Sequence, residues 1–166
     1  MAIRQATVED EQWLQSSFDT VMGWTKPSGY FEEVCRLQED GELVLLIATQ
    51  ATHFLGHLKI VGQPDYPHFR RQNIPEIKDL YVRPDYRQQG IATRLLDEAE
   101  KHIQVRSDQV GIGFGLYADY GAAQRLYVKR GYIPDGHGIS YNHKPVQPGE
   151  EMPVDDDLVL YLVKQL

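Results

Sequence analysis

The chain has 166 residues, enough for one substantial hydrophobic core, so a single domain over residues 1–166 is expected. It is 42% hydrophobic and 25% charged with a formal net charge of -7, the balance of an ordinary globular protein and an unfavourable one for binding nucleic acid. The longest apolar run, Leu43 to Ala48, is far short of the roughly twenty residues that cross a bilayer, so no membrane association is expected.

Ile3 to Ala6 reads as a strand, and helical patterns follow over Glu9 to about Thr20 and Gly29 to Gln38, where Asp40-Gly41 ends the region. Cys35, the only cysteine, falls on the second of these helices as a small buried hydrophobe. A lone cysteine excludes an internal disulfide, and Met1-Ala2-Ile3-Arg4 does not read as a signal peptide, so the cytoplasm is the expected compartment. Leu43 to Thr49 and Thr52 to Val61 are aliphatic and β-branched runs around Gln50-Ala51, the pattern of an antiparallel hairpin. A polar, proline-bearing connection, Gly62 to Asn73, leads to a strand over Pro75 to Val82.

After the turn Arg87 to Ala92 comes a helix to about Gln104, with Ala92, Leu95, Leu96, Ala99 and Ile103 on one face. Ile112 to Tyr117 reads as a strand, and Gly121 to Arg130 as a helix stopped by Gly131. Pro134 to Asp156 is rich in Gly, Pro, Asp and His and reads as a long functional loop. The last strand, Leu158 to Val163, is nearly all apolar. Both its faces should therefore be covered, either by a helix of the same chain or by the second subunit of a homodimer. Together these elements describe an α/β (α+β) domain with a mixed, mainly antiparallel sheet of six or seven strands and about four helices.

The turn carries the chemistry. A strand, a Gly-bearing turn and a helix start make an anion site, because the first helical N–H groups have no intrahelical partner and the helix dipole is positive there. The surrounding charge agrees: Arg70, Arg71, Lys78, Arg83, Arg87 and Arg94 stand against Glu76, Asp79 and Asp85, a basic island in an acidic chain. The turn lacks the Gly-Lys-Ser/Thr ending of a P-loop, and Gly111-Ile112-Gly113-Phe114-Gly115 lacks the third glycine at Rossmann spacing.

Arg87-Gln88-Gln89-Gly90-Ile91-Ala92 does resemble the Gln/Arg-x-x-Gly-x-Gly/Ala pyrophosphate turn of the GNAT superfamily of acetyl-CoA-dependent N-acetyltransferases. Ala123-Gln124-Arg125-Leu126-Tyr127-Val128-Lys129-Arg130-Gly131-Tyr132 resembles the same family's Ala-x-x-Leu-Tyr-x-x-x-Gly-Phe/Tyr segment. The resemblance runs from about Ile74 to Tyr132, and more weakly from Ile3 onward. It implies a sheet in which the strands Pro75–Val82 and Ile112–Tyr117 are parallel and splay apart at their C-terminal halves to admit the pantetheine arm. It assigns the main chain of Leu80, Tyr81 and Val82 to pantetheine and the turn Arg87, Gln88, Gln89, Gly90, Ile91, Ala92 and Thr93 to the pyrophosphate. Tyr120 and Ala123 join the cofactor site. Tyr120 stands where the family often has Asn, so it would stack or donate through its hydroxyl instead.

Acetyl transfer to an amine needs a neutral amine, a polarised thioester carbonyl and a proton for the departing thiolate. The resemblance points to Tyr127 as the proton donor, and a phenol with a pKa near 10 stays protonated at pH 7. A helix tyrosine packed beside Ala123 and Leu126 is the competing reading. Glu76, amid Ile74, Ile77 and Leu80, matches the glutamate that serves as base in some members; a salt-bridged strand residue is the alternative, and Asp79 is a competitor on the opposite face. A strand N–H near Val82 would polarise the carbonyl.

His53 and His57 are four apart on a strand, and His102, His137 and His143 have no ligand partners at informative spacing, so no metal is expected. The acceptor is expected to be a small cationic amine, with Trp24, Tyr30 and Phe31 as aromatic walls and Glu150, Glu151, Asp155, Asp156 and Asp157 outnumbering Lys144. Three alternatives stand beside this reading: a peptide or protein amine as acceptor, another acyl-CoA as donor, and a CoA-binding regulatory module without turnover.

Overall fold

The structure, a computed structural model, describes residues 1–21 and 27–166. Trp24 lies outside the described residues. In chain order the elements are β1 (Ala2–Gln5), α1 (Glu11–Val21), α2 (Tyr30–Glu39), β2 (Leu43–Gln50), β3 (His53–Val61), α3 (Pro67–Gln72) and β4 (Glu76–Val82). They continue with α4 (Ile91–Gln104), β5 (Gln109–Gly115), α5 (Gly121–Lys129), β6 (Ile133–Tyr141), β7 (Lys144–Pro145) and β8 (Leu158–Gln165). The eight strands are ordered β1-β2-β3-β4-β5-β8-β6-β7. The sheet is mixed and mainly antiparallel as expected, with eight strands in place of six or seven and, among the described residues, five helices in place of about four.

The chain divides into two compact units, Met1–Val61 with Lys78–Lys101, and Gly62–Ile77 with His102–Leu166. In the first, β2 pairs antiparallel with β1 and β3, and Ala51 at φ 50° turns the β2–β3 hairpin. Helices α1 and α2 bury Leu14, Phe18, Phe31 and Val34 against Leu43, Leu45, Ile47 and Phe54. Phe18 meets Phe31 edge-on at 4.9 Å between ring centroids. Phe31 is thus a core residue, drawn inward with Val34 and Cys35 by their helical spacing along α2.

In the second unit β5 pairs antiparallel with β8 from Gln109↔Gln165 to Gly115↔Val159, and β8 pairs with β6 on its other edge. The parallel β4–β5 ladder consists of two pairs, Glu76↔Gly111 and Ile77↔Ile112, although β4 continues to Val82 and β5 to Gly115. Gly111 leaves room for the Phe69 ring: a Cβ there would lie 2.2 Å from Phe69 Cε2. Phe69 with Tyr66, Ile74 and Tyr161 forms a buried cluster on which Val159 and Val163 pack. This cluster covers the face of β8 that carries Val159, Tyr161 and Val163, and Leu158 and Leu162 on the other face are buried as well.

Three expectations are corrected. The Gly62–Asn73 connection contains α3, a six-residue helix whose single apolar residue, Phe69, gives no period to read. It starts on Pro67 at its first turn and ends at Asn73, which takes the left-handed conformation at φ 53°. The stretch Pro134–Asp156 is not a structureless loop, because β6 and β7 form a hairpin across Asn142 and His143, both at positive φ as a type I′ turn requires. Within β6 only Ser140 is buried, so no alternation marks it; the ladder to β8 makes it a strand. The strand expected from Ile112 begins at Gln109, since β8 supplies partners out to Gln165.

Candidate functional site

In the first unit, β4 runs into the turn and the turn opens α4. Gln88 and Gly90 both have positive φ, 60° and 77°, and Arg94 N–H closes the first helical turn on the Gly90 carbonyl at 3.0 Å. Residues Arg87 to Gly90 and Thr93 are exposed, Ala92 is half-buried, and Ile91 is buried and anchors the helix start. The turn thus presents exposed residues at a helix start, a place where unpaired N–H groups favour an anion. Arg87 braces it from behind: its Nε donates to the Val82 carbonyl at 3.1 Å and its guanidinium lies 5.9 Å from the Tyr81 ring centroid. The end of β4 is tied to β3 by Arg83 N–H donating to the Leu55 carbonyl at 2.9 Å. Gly56 on β3 is obligatory there, because a Cβ would stand 2.4 Å from the Tyr81 carbonyl oxygen.

Within β4, Asp79 takes the left-handed conformation at φ 53°, uncommon for a non-glycine residue in a strand. Its carboxylate meets Lys59 Nζ at 2.6 Å, and Tyr30 joins them, accepting from Lys59 at 3.0 Å and donating to Asp79 at 3.5 Å. Burial pulls the Lys59 ammonium down, but Asp79 and Tyr30 together more than offset it and leave its pKa above the ordinary lysine value. As a base, Asp79 is compromised by this ammonium. Beside α1 and the start of α2 lies a cavity of about 400 Å³ lined by Glu11, Gln12, Gln15, Ser16, Ser28, Gly29 and Phe31.

The second unit holds the other singled-out residues. Glu76 is 3% exposed at the start of β4, opposite Gly111, and its charge helps raise the Tyr161 pKa after burial of that phenol. Tyr127 on α5 is 5% exposed, between Phe114 and Tyr132, whose ring centroids lie 6.3 and 6.0 Å away. Burial holds its phenol well above the usual pKa, so the proton stays on oxygen throughout the physiological range. Half-buried Ala123 lies one turn before Tyr127 on α5, and the neighbouring Gln124 donates to the Gly115 carbonyl at 3.1 Å.

Tyr120 packs its ring over Gly115, where a Cβ would come within 2.5 Å of it, and its hydroxyl donates to Asp156 Oδ1 at 2.9 Å. Tyr117 donates to the same oxygen, and Tyr141 donates to Asp155 at 3.0 Å. These tyrosine–aspartate pairs escape a sequence reading, since their members are 36, 39 and 14 residues apart and are joined only by the fold. The same is true of the Lys59–Asp79–Tyr30 group.

No described helix is long and apolar enough to cross a membrane. Comparison with solved structures finds the same fold in several proteins. A ribosomal-protein-alanine N-acetyltransferase from Brucella melitensis superposes with a TM-score of 0.67 at 20% identity, covering 100% of both chains. An aminoglycoside 6'-N-acetyltransferase complexed with coenzyme A gives 0.67 at 17% identity over 99% of this chain and 97% of that one. The structure of yncA from Salmonella typhimurium with its cofactor acetyl-CoA gives 0.68 at 15% identity over 99% and 93%. No curated protein sequence matches the chain. The model of the acetyltransferase (GNAT) family matches residues 6–132, which take in the whole span from β2 through the turn to Tyr132. The chain belongs to the acetyltransferase (GNAT) family, and its cosubstrate is acetyl-CoA.

Proposed function

We propose that this acetyltransferase moves the acetyl group of acetyl-CoA to a primary amine of a small cationic molecule, directly and within a ternary complex. The observation that carries the reading is the turn from Arg87 to Thr93, whose residues Arg87 to Gly90 are exposed just before a 14-residue helix and a few residues after β4. In this reading the turn takes the pyrophosphate, and Leu80, Tyr81 and Val82 offer main-chain groups to pantetheine.

Glu76, through a water, takes the proton that the ammonium must lose. The amine lone pair then attacks the thioester carbon, the new C–N bond forms as the C–S bond breaks, Tyr127 protonates the departing sulfur, and the second proton that the nitrogen sheds on becoming an amide restores the Tyr127 phenol. The raised Tyr127 pKa keeps that proton in place until a thiolate develops. A cationic acceptor is supported by the net charge of -7 and by Asp155 and Asp156, gathered beside Tyr117, Tyr120 and Tyr141. The aminoglycoside enzyme among the structural neighbours acts on an acceptor of this kind.

Calorimetric titration with CoA, followed by an acetylation assay over polyamines, amino sugars and basic peptides, tests both halves. CoA binding that weakens at least tenfold in Gly90→Val, with an unchanged circular dichroism spectrum, is the expected result. Undiminished affinity in that variant removes the pyrophosphate assignment. Turnover confined to peptide amino ends would move the acceptor to the protein class.

A further inference from the structure

The second unit contains a cluster that acetyl transfer does not use. His68 of α3 and Asp135 and His137 of β6 each bring one ligand atom within 4.8 Å of the other two. The two imidazoles face each other with ring centroids 3.8 Å apart and planes inclined by 37°. The side chain of Asp135 is 1% exposed and that of His137 is 47% exposed, so a buried carboxylate sits beneath an accessible ring.

A carboxylate withdrawn this far from water must be held by donors. Asp135 Oδ2 accepts from the Tyr66 hydroxyl at 2.8 Å, and Oδ1 accepts the His137 backbone N–H at 2.9 Å. Each oxygen retains a further lone pair, and Oδ2 lies 3.6 Å from His137 Nδ1. The supporting frame is firm. Tyr66 stacks on Tyr161 with ring centroids 3.7 Å apart, and Phe69 fills the space above Gly111, which fixes α3 on either side of His68. On β6 the ladder to β8 shifts register between Pro134 and Ile139, and Gly136 and Gly138 take φ 86° and 73°. This irregular stretch lifts Asp135 and His137 out of regular pairing towards α3.

We infer that His68, Asp135 and His137 bind a divalent first-row transition ion of the zinc class, with Tyr66 orienting the carboxylate. Two imidazole nitrogens and one carboxylate oxygen suit zinc and its neighbours, whereas magnesium and calcium favour sites made of oxygen alone. The ligand atoms must close to bonds of about 2.0–2.2 Å around the ion. The exposed His137 ring has the freedom for that movement, and Tyr66 supplies the outer hydrogen bond that metal-bound carboxylates carry. Three protein ligands leave a fourth position for water. The bound ion clips α3 to β6, and no step of acetyl transfer passes through it.

The test uses the full chain, freed of any affinity tag and titrated with zinc sulfate by calorimetry in a non-coordinating buffer. Magnesium chloride serves as the comparison ion. One zinc per chain at micromolar or lower Kd is expected, with no magnesium heat and with a rise in Tm on zinc addition. His137→Ala, at an exposed position, and His68→Ala should each weaken zinc binding at least tenfold, and His102→Ala on the exposed face of α4 should leave it unchanged. Cobalt(II) should give the intense visible bands of a four-coordinate site and lose them in His137→Ala. Absence of saturable zinc binding below 100 µM overturns the inference, a figure set about tenfold or more above the expected Kd. So does zinc affinity equal to wild type in a folded His137→Ala variant.

Discussion

Tyr127 and Asp10 show how one side chain's surroundings fix its chemistry. The Tyr127→Phe variant keeps the ring that packs beside Phe114 and Tyr132 and removes only the buried hydroxyl. We expect kcat to fall about a hundredfold with little change in the KM for acetyl-CoA, read from steady-state rates with a working acceptor. Wild-type turnover would reduce Tyr127 to packing. Glu76→Gln should lower the rate at neutral pH and recover as pH climbs towards the amine's own pKa near 10, where no base is needed.

Asp10 is a separate case of stability. The Arg4 guanidinium, bonded to it at 2.6 Å, outweighs burial and, with the Thr7 N–H, holds its carboxyl at about 2. A depressed carboxyl stabilises the folded state above its unfolded pKa, near 4, and loses that contribution as pH falls through about 2. Asp10→Asn should therefore cost about 1 kcal/mol in urea unfolding at pH 7, and the difference from wild type should close between pH 4 and pH 2. A gap that persists at pH 2 would assign the effect to packing.

Elements with a clear period were legible in the sequence, and elements made by their partners were not. Helices α2 and α4 and the β2–β3 hairpin carry their hydrophobic pattern within themselves, and Gly131 ends α5 at φ 88° as a left-handed cap. The turn from Arg87 to Thr93 was legible for the same reason, being one continuous run. Helix α3 depends on one buried ring and β6 on a ladder, and neither leaves a mark in local sequence. The seating of α3 is testable at Gly111. An alanine Cβ there would lie 2.2–2.6 Å from three atoms of the Phe69 ring, so Gly111→Ala should destabilise by about 1–3 kcal/mol. Adding Phe69→Leu should recover part of the loss in a double-mutant cycle, and strict additivity would mean that the two positions do not press on each other.

Charge acts at the scale of the molecule. The chain carries a net charge of -7, and its basic residues are concentrated in the sequence between Arg70 and Arg94. A cationic acceptor approaching such a chain is drawn by a field that salt screens over about 10 Å at 0.1 M. The acceptor KM should therefore rise several-fold between 50 and 500 mM sodium chloride, increments chosen to shrink the screening length severalfold. A flat salt profile, or preference for an anionic acceptor, would overturn the cationic assignment.

The division into two units has a consequence for how the molecule is made. Each unit is assembled from two separate segments, and the chain passes between them three times, at Val61/Gly62 where β3 ends, at Ile77/Lys78 within β4 and at Lys101/His102 within α4. No contiguous fragment contains a whole unit and nothing else. During synthesis the first unit lacks a part until residue 101 has left the ribosome, and by then Gly62–Ile77 has already emerged without the partners that arrive up to Leu166. Phe69 and Ile74 of that segment are made well before Tyr161, with which they cluster, so their burial waits on the translation of the chain between them.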